Sequence, residues 1–292
     1  MDRRKFLTTA GAGAGLLPFS HSARAADAAV PMVRATPTLG RTGIPIADIS
    51  FGSSRLRTGQ EHLVEHALAR GINYFDTADS YTGGESETVI GNVLKNRRRD
   101  DLYIVSKTKV WANDSVADIM RALEGSLRRL QTDYVDVFFN HAVNDIDRLD
   151  NPEWFEFVEL AKAQGKIRYT GISGHAGRLT DCLDYAVEKD LVDVLLVAYN
   201  FGQDPAFYES LTRSFNRIAT HPGLPGVLQK AAAKDIGVIA MKTLMGARLN
   251  DMRPFEGAQS TFSQAAFRWT LSNPNVHALV VSMTDVDQID EY

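Results

Sequence analysis

From residue 49 onward, short runs of β-branched and aromatic residues alternate with longer segments in which apolar residues recur at helical spacing. Short apolar runs bounded by polar or turn-forming residues predict β-strands, because such side chains suit a pleated, buried surface. Eight strands are predicted, at Ile49–Phe51, Asn73–Asp76, Leu102–Ser106, Val135–Phe139, Tyr169–Ile172, Val194–Tyr199, Val238–Met241 and Ala278–Val281.

The segments between these runs have the apolar period of amphipathic helices. The predicted helices are Glu61–Arg70, Ser86–Lys95, Val116–Leu130, Trp154–Gln164, Leu179–Lys189, Leu224–Lys234 and Phe262–Ser272. Strand–helix alternation predicts a parallel sheet, since parallel neighbours need a crossover connection. Eight units in roughly 240 residues match an α/β fold of the closed (β/α)8 TIM barrel type. An open doubly wound sheet is disfavoured because no Gly-x-Gly-x-x-Gly turn follows an early strand.

Two shorter features flank the predicted barrel. Leu39–Ile46 contains a glycine turn between short apolar pieces, which predicts an N-terminal β-hairpin. Asp285–Tyr292 predicts the beginning of one more helix, which we expect to be truncated after about two turns.

Four polar residues lie at the ends of successive predicted strands or just beyond them: Asp76, Tyr81, Lys107 and His141. The carboxyl ends of barrel strands converge on one mouth, so residues about thirty positions apart share a pocket. The pattern therefore predicts a catalytic site. Taken singly, each residue also fits a structural role, as a rim ion pair, a loop aromatic or a histidine at a strand end.

Composition and charge favour a small-molecule partner. The chain has 292 residues, 44% hydrophobic and 23% charged, and its formal net charge is −4. It contains no basic stripe interleaved with aromatic residues, which argues against nucleic acid as a partner.

The first 25 residues predict an export signal. Arg3 and Arg4 precede an Ala/Gly-rich apolar run that extends to Phe19, and Ala23-Arg24-Ala25 offers a small-residue cleavage site. The order resembles a twin-arginine signal, which implies cleavage after Ala25 and export of a folded protein to the periplasm. The run is too short for a membrane span of about 20 residues. Residues 26–37 predict a linker and residues 38–292 the barrel.

Two motifs that often bind metal are assigned no role. Cys182 is the only cysteine, so it forms no disulfide or cysteine-ligated cluster within this chain, and its helical apolar spacing predicts burial. His62, Glu65 and His66 match a zinc pattern. They lie on the flank of a predicted outer helix, away from the strand ends, so no metal is expected.

Several stretches of the chain resemble the aldo-keto reductases. They are Gly71–Tyr81, Gly84–Glu87 with Ile90–Gly91, Ser126–Leu130 with Asp133–Val137, Gly165–Ser173 and Phe267–Pro274. Their order and spacing along nearly the whole barrel carry the resemblance, which implies a (β/α)8 barrel that reduces carbonyl compounds with a nicotinamide cofactor. Members with twin-arginine signals also imply a cysteine-rich cluster-binding tail or a redox partner beyond the barrel.

The resemblance maps the family's catalytic tetrad onto Asp76, Tyr81, Lys107 and His141. Tyr81 would donate a proton to the carbonyl oxygen, and Lys107 would lower the pKa of the tyrosine by stabilising its phenolate. Asp76 would hold the lysine charged and oriented, while His141 would hydrogen-bond the carbonyl oxygen. Hydride would come from the cofactor, because no side chain supplies it.

The cofactor side departs from the family pattern. The resemblance assigns it to Ser173, Gly174, His175, Tyr199, Asn200, Lys242, Leu244, Gly246, Arg248, Ser282 and Gln288. Gly174 replaces the family's asparagine, and Leu196 replaces a glutamine, so two contacts to the nicotinamide carboxamide change. Ser282 and Gln288 stand where the family often has cations around the 2′-phosphate of NADP, which predicts a preference for NAD. Lys242 and Arg248 are the alternative cations for that phosphate.

Two functions are therefore open. The first is a periplasmic oxidoreductase that reduces an aldehyde or ketone, or oxidises the matching alcohol, with NAD or NADP. The second is a noncatalytic nucleotide-binding or docking barrel of a larger redox protein. Cofactor binding followed by turnover of a generic aldehyde distinguishes them.

Overall fold

The computed structural model describes residues 30–175, 177–203, 221–244 and 260–292, and the strands in these residues form one closed barrel. The strands follow chain order, neighbours are parallel, and the last strand pairs with the first. The strands are β1 Ile49–Gly52, β2 Tyr74–Asp76, β3 Tyr103–Thr108, β4 Val135–Asn140, β5 Ile167–Gly174, β6 Val194–Ala198, β7 Gly237–Met241 and β8 Ala278–Ser282. The predicted (β/α)8 barrel is confirmed.

Eight α-helices lie in the described residues, and seven of them correspond to predicted helices. The helices are α1 Glu61–Ala69, α2 Glu85–Leu94, α3 Val116–Leu130, α4 Pro152–Ala163, α5 Leu179–Glu188, α6 Leu224–Ala233, α7 Phe262–Leu271 and α8 Val286–Glu291. The last of these lies in the segment where a further helix was expected to begin.

Local capping signals explain where two of the helices begin. The bounds of α3 agree with the prediction, and Ser115 caps this helix by accepting a hydrogen bond from the Asp118 N–H. The helix α4 begins two residues before the predicted start at Trp154. Asn151 Oδ1 accepts from the Glu153 N–H at 2.9 Å, and Pro152 suits the first helical position, where its missing N–H costs nothing.

The predicted N-terminal hairpin is present as a tight turn joined by one antiparallel bridge, between Thr38 and Pro45. The Leu39 N–H donates to the Ile44 carbonyl at 2.9 Å. Gly40, at φ +47°, packs so close to β7 that a Cβ would lie 2.5 Å from the Gly237 amide nitrogen.

The hairpin closes the amino-terminal end of the barrel. Leu39, Ile44 and Ile46 are buried in one cluster with interior residues of the strands, among them Tyr74 and Phe139. Since β7 begins at the residue that the turn contacts, this plug lies at the end opposite the strand carboxyl termini. The polar side chains at those termini therefore lie at the open end of the barrel.

Three apolar side chains of the predicted outer helix α1 are buried, and His66 of this helix has a structural partner. Leu63, Val64 and Ala67 are buried, and His66 Nε2 lies 2.6 Å from Asp290 Oδ1 on α8. Among the described residues, no group of three or more His, Cys, Asp and Glu side chains is placed to hold a metal ion. No helix in this part of the chain is long and apolar enough to cross a bilayer.

Candidate active site

The four strand-end residues predicted to share a pocket lie together at the carboxyl ends of β2, β3 and β4. Lys107 is fully buried, and its Nζ donates to Asp76 Oδ1 at 2.6 Å and to the Thr77 carbonyl at 2.6 Å. The same ammonium lies 3.4 Å from Tyr81 Oη. The rings of Tyr81 and His141 meet edge to face, with centroids 5.7 Å apart. One ammonium thus connects a carboxylate and a phenol beside an imidazole.

The protonation states of Lys107 and Tyr81 follow from burial and from each other. Burial disfavours the Lys107 ammonium, but attraction to Asp76 and Tyr81 outweighs it, so the pKa of Lys107 lies above its usual value. Burial also raises the pKa of Tyr81, and Lys107 offsets only part of that increase. Lys107 thus favours the Tyr81 phenolate, as expected, while burial keeps the pKa of Tyr81 above its ordinary value. Tyr81 keeps its proton at neutral pH.

His141 is neutral at physiological pH. Burial, followed by the charges of Lys107, Lys109, His175 and Arg148, lowers the pKa of His141 to about 3. A neutral imidazole carries one N–H donor and one acceptor. His141 Nδ1 is buried without a hydrogen-bond partner among the described residues, and the residue lines the cavity.

Buried hydroxyl groups support the Asp76 end of β2. Ser53, which follows β1, donates from its N–H and its Oγ to the Asp76 carbonyl, at 3.0 and 2.7 Å. Ser86 Oγ lies 2.6 Å from Ser53 Oγ and 2.8 Å from Thr77 Oγ1. Sequence reasoning missed this network, because serine and threonine at strand ends carry no distinctive spacing.

A strained turn presents Tyr81. Within the 3-10 segment Tyr81–Gly84, Thr82 has φ +50°, a left-handed conformation that residues with a Cβ seldom adopt. Thr82 Oγ1 donates to the Leu56 carbonyl at 2.7 Å and accepts from the Ser86 N–H at 3.1 Å. The loop after β1 and the start of α2 together hold the turn in place.

A cavity of about 630 Å³ extends from these four residues across the ends of β5 to β8 and β1. Of the residues assigned to the cofactor, six line it: Ser173, His175, Lys242, Leu244, Ser282 and Gln288. Leu196 lines it as well. Gly246 and Arg248 lie outside the described residues, so their assignment stays a prediction.

Three assigned residues are not among the described residues that line the cavity. Tyr199 stacks on Trp269 of α7 at 5.2 Å, and its Oη accepts from Asn273 Nδ2 at 3.0 Å. Asn200 donates to the Lys242 carbonyl at 3.2 Å and therefore supports the loop after β7. A Cβ at Gly174 would lie 2.6 Å from a methyl group of Leu179, so a larger residue there would require that side chain to shift.

Among the cavity residues that were not assigned from the sequence, two carry polar groups suited to binding a ligand. Arg55, in the loop after β1, lines the cavity and has no ion-pair partner among the described residues. Thr243 Oγ1 is buried without a hydrogen-bond partner in the same part of the chain, next to Lys242 at φ +58°. The only sequence signal for either residue was its position a few residues after a strand.

The donor set fits an anionic dinucleotide. Arg55 and Lys242 supply positive charge, Thr243 has an unpaired hydroxyl, and the Ser173 hydroxyl lines the cavity next to His141. Charge-assisted hydrogen bonds from such groups are the usual means of holding phosphate oxygens. Ser173 and His175, at the end of β5 and just after it, line the same cavity as the four strand-end residues and are polar groups that could orient a nicotinamide ring.

A second, larger cavity lies elsewhere. It measures about 860 Å³ and is lined by residues 31–34, by Arg70 and Ile72 after α1, and by side chains of α7 and α8. Its charged groups include the Arg70–Asp290 ion pair, in which the residue that follows α1 lies 2.6 Å from α8. None of the four strand-end residues lines this cavity.

Comparison with known proteins assigns the chain to a family. The model of the aldo/keto reductase family matches residues 49–261. The uncharacterized oxidoreductase YqkF of Bacillus subtilis is 25% identical over 277 residues, and the match covers 87% of this chain and 88% of that protein. L-galactose dehydrogenase of Arabidopsis thaliana is 26% identical over 276 residues, and the match covers 87% of this chain and 85% of that enzyme.

Solved structures agree. The thermostable aldo-keto reductase Tm1743, solved with the inhibitor epalrestat, superposes with a TM-score of 0.69 at 27% identity, covering 88% of this chain and 92% of that one. An aldo-keto reductase from Klebsiella pneumoniae, solved with NADPH, gives 0.68 at 24% identity, over 89% and 88%. With a family model that spans most of the barrel, this chain belongs to the aldo/keto reductase family.

Proposed function

We propose that this chain reduces an aldehyde or ketone, or oxidises the matching alcohol, and that Tyr81 is the proton donor. NAD(P)-dependent carbonyl reduction is the general activity of the family to which the chain belongs. The observation that carries the proposal is the 3.4 Å separation of Lys107 Nζ from Tyr81 Oη, within a cavity that His141 also lines. The identity of Tyr81 as the general acid is our inference.

The residues of the chain would act in the following way. Tyr81, protonated at neutral pH, gives its proton to the carbonyl oxygen, and the adjacent Lys107 ammonium stabilises the phenolate that remains. Neutral His141 donates a hydrogen bond to the same oxygen and orients it. Asp76 keeps Lys107 charged and fixed. When bound, the nicotinamide cofactor supplies or accepts the hydride.

Turnover tests the proposal directly. The purified chain is mixed with NADH or NADPH and a set of aryl and aliphatic aldehydes, and loss of cofactor absorbance is followed. Aldehyde-dependent oxidation of the cofactor is expected. Cofactor binding without turnover of any carbonyl compound would instead favour the noncatalytic nucleotide-binding or docking barrel.

We further propose that NAD(H) is bound in preference to NADP(H). Ser282 Oγ pairs with Ser54 Oγ at 2.8 Å, and Gln288 Oε1 accepts from the Thr284 N–H at 3.0 Å, so neither position offers a cation. A hydrogen bond to a charged group is worth about 1.5–3 kcal/mol, so two missing cations lower the preference for the 2′-phosphate by roughly 10²-fold or more.

Calorimetric titration with both cofactors tests this preference. A dissociation constant for NADPH more than about tenfold below that for NADH would contradict it, since each tenfold step is about 1.4 kcal/mol. Arg55→Gln and Lys242→Gln then show whether either cation binds the phosphate instead. Loss of NADPH affinity alone in one variant identifies the cation responsible.

Export through the twin-arginine route is a separate proposal, supported by the order of charged, apolar and small residues before position 26. Replacing Arg3 and Arg4 together by lysine is expected to retain the protein in the cytoplasm. Fractionation of cells that express the full chain measures this. Periplasmic accumulation of the double variant would contradict the proposal.

A further inference from the structure

Arg148 is a buried arginine without an acidic partner. Its side chain is 7% exposed, in the loop after β4. The guanidinium makes four hydrogen bonds, all to uncharged acceptors: the carbonyls of Val110 at 2.6 Å, Ala142 at 2.9 Å and His141 at 2.9 Å, and Asn140 Oδ1 at 2.8 Å. No carboxylate in the described residues pairs with it. Burying an unpaired charge is unfavourable, so the position requires a specific explanation.

The four acceptors belong to the chain that leaves β3 and β4, on both sides of His141. The His141 N–H donates to the Thr108 carbonyl at 2.8 Å, and the Ala142 N–H donates to Ser173 Oγ at 2.9 Å. With the two bonds from Arg148, every backbone polar group of residues 141 and 142 is paired. The planar guanidinium fork bonds both carbonyls of the turn at once.

This turn has a backbone conformation that needs external support. Ala142 has φ +53°, in the left-handed region that residues with a Cβ seldom adopt. Such conformations persist where the surrounding structure over-determines them. Arg148 donates to the Ala142 carbonyl, and Ser173 Oγ accepts from the Ala142 N–H. Both backbone polar groups of the strained residue are therefore held by side chains.

The positive charge of Arg148 lowers the pKa of His141, and its hydrogen bond holds the backbone of the same residue. The charged and titratable groups around His141 are Lys107 and Lys109 from the β3 side, Tyr81 across the cavity, His175 after β5 and Arg148 itself. Burial and these cations favour the neutral imidazole. A neutral ring is the form that the proposed contact with a carbonyl oxygen uses.

We propose that Arg148 is the positioning residue of His141: its guanidinium fixes the backbone of residues 141 and 142 so that the imidazole faces Tyr81 and the cavity. The inference rests on the proposed function, because it assigns His141 a contact with the carbonyl compound. A purely structural role is the competing explanation, since Arg148 also joins the β3 and β4 loops and packs at 4.9 Å over the Trp111 ring.

Two substitutions and a matched control separate these explanations. Arg148→Met removes the fork and the charge, and Arg148→Lys keeps a cation but loses the planar fork. Arg168→Met is the control, because Arg168 lies near the start of β5, at the opposite end of the barrel. Loss of Arg168 leaves Asp136 with its second ion-pair partner, Arg99. Thermal unfolding of all three variants reports the structural contribution.

The kinetic readout distinguishes positioning from stability. Arg148→Met is expected to lower kcat/KM for the carbonyl compound by roughly 10- to 100-fold, since misplacing a group near the reacting atoms by about 1 Å has effects of that size. Arg148→Lys should fall between it and the unaltered chain. The dissociation constant of the cofactor should change less than twofold in both, and Arg168→Met should leave kcat/KM unchanged.

A second readout needs no turnover. Histidine NMR of the cofactor-free chain follows the titration of His141, which is expected well below the ordinary pKa near 6.5. In Arg148→Met or Arg148→Lys the titration should move towards that ordinary value, while in Arg168→Met it should not move. If neither Arg148 variant folds, the unaltered chain still provides a test. Titration of its His141 near 6.5 would overturn the inference, because a held, buried imidazole does not protonate there.

Two further results would decide whether the inference or the proposed function fails. Full kcat/KM and an unmoved His141 titration in a folded Arg148→Met chain would overturn the inference. If no carbonyl compound is turned over by the unaltered chain, the proposed function fails, and the His141 titrations still decide whether Arg148 holds the imidazole.

Discussion

The protonation states of Tyr81 and Lys107 are coupled, since 3.4 Å separates the phenol oxygen from the ammonium nitrogen.

The four strand-end residues could be predicted because their types and their spacing by one strand–helix unit follow from barrel geometry. Arg148 could not, since a single arginine in a loop has no spacing signal. Tyr199 is not among the described residues that line the cavity: it follows β6, three residues after the cavity-lining Leu196, and stacks on Trp269.

Tyr81→Phe is expected to lower kcat by about 10² to 10⁴-fold, because it removes the transferable proton. Affinity for the cofactor should stay nearly unchanged, and fluorescence titration measures it beside steady-state kinetics. Tyr74→Phe is the matched control: Tyr74 on β2 is buried, and its hydroxyl has no partner among the described residues. That control should retain full activity. Retention of more than about a tenth of kcat in Tyr81→Phe would remove Tyr81 from the role of acid.

Lys107→Met is expected to change the pH dependence as well as the rate. Burial raises the pKa of Tyr81, and Lys107 is the group that opposes this increase. Without the ammonium the pKa of Tyr81 rises further, so the loss of reductase activity at alkaline pH should begin at a higher pH. Maximal kcat should fall by about 10²-fold or more, because the phenolate loses its counter-charge. An unchanged pH profile in a folded variant would be inconsistent with the role given to Lys107.

At the scale of helices and strands, local signals decide where elements begin, and long-range contacts decide how they are held. The periodic apolar pattern predicted seven helices and eight strands, while capping by Asn151 set the true start of α4. Asn151 also joins two elements, since Nδ2 donates to the Trp111 and Asp114 carbonyls at 2.9 and 3.1 Å. The apolar pattern does not report such contacts.

Asn151→Ala is expected to lower the free energy of unfolding by about 1–3 kcal/mol, because it removes a helix cap and the side-chain donor to two loop carbonyls, of which the Trp111 carbonyl retains the Asp114 N–H. Asn151→Asp keeps an oxygen for the cap but cannot donate, so its loss should be smaller. Urea unfolding of both variants measures the difference. Equal stability of Asn151→Ala and the unaltered chain would show that water replaces these bonds at no cost.

The contact between α1 and α8 is expected to depend on acid. Hydrogen bonds from Arg70 and His66 lower the pKa of Asp290 to about 2. The folded-state pKa lies below the unfolded value of about 3.9, so this contribution to stability is present above that value and is lost as pH falls towards 2. Asp290→Asn should therefore lose less stability than the unaltered chain between pH 5 and pH 3. Parallel urea midpoints for the two proteins across this range would contradict the assignment.

At the scale of the whole molecule, the barrel is filled at one end and holds a cavity at the other. The hairpin side chains Leu39, Ile44 and Ile46 pack with the interior of the strands at the amino end. The strand order could be predicted, because alternating strands and helices of this number close in only a few ways. The hairpin's function as a plug could not, since it depends on a close approach of Gly40 to β7 that no local pattern encodes.

Because side chains fill the amino end of the barrel, the cavity at the carboxyl ends of the strands is closed on that side. A carbonyl compound entering at the strand carboxyl ends and the alcohol made from it share one entrance, because the route through the barrel is blocked by packed side chains. Product departure and substrate arrival are then mutually exclusive events. The alcohol is therefore expected to inhibit reduction when it is added at the start, because it occupies the cavity that the carbonyl compound must enter. Initial rates that do not respond to added alcohol would contradict a shared cavity.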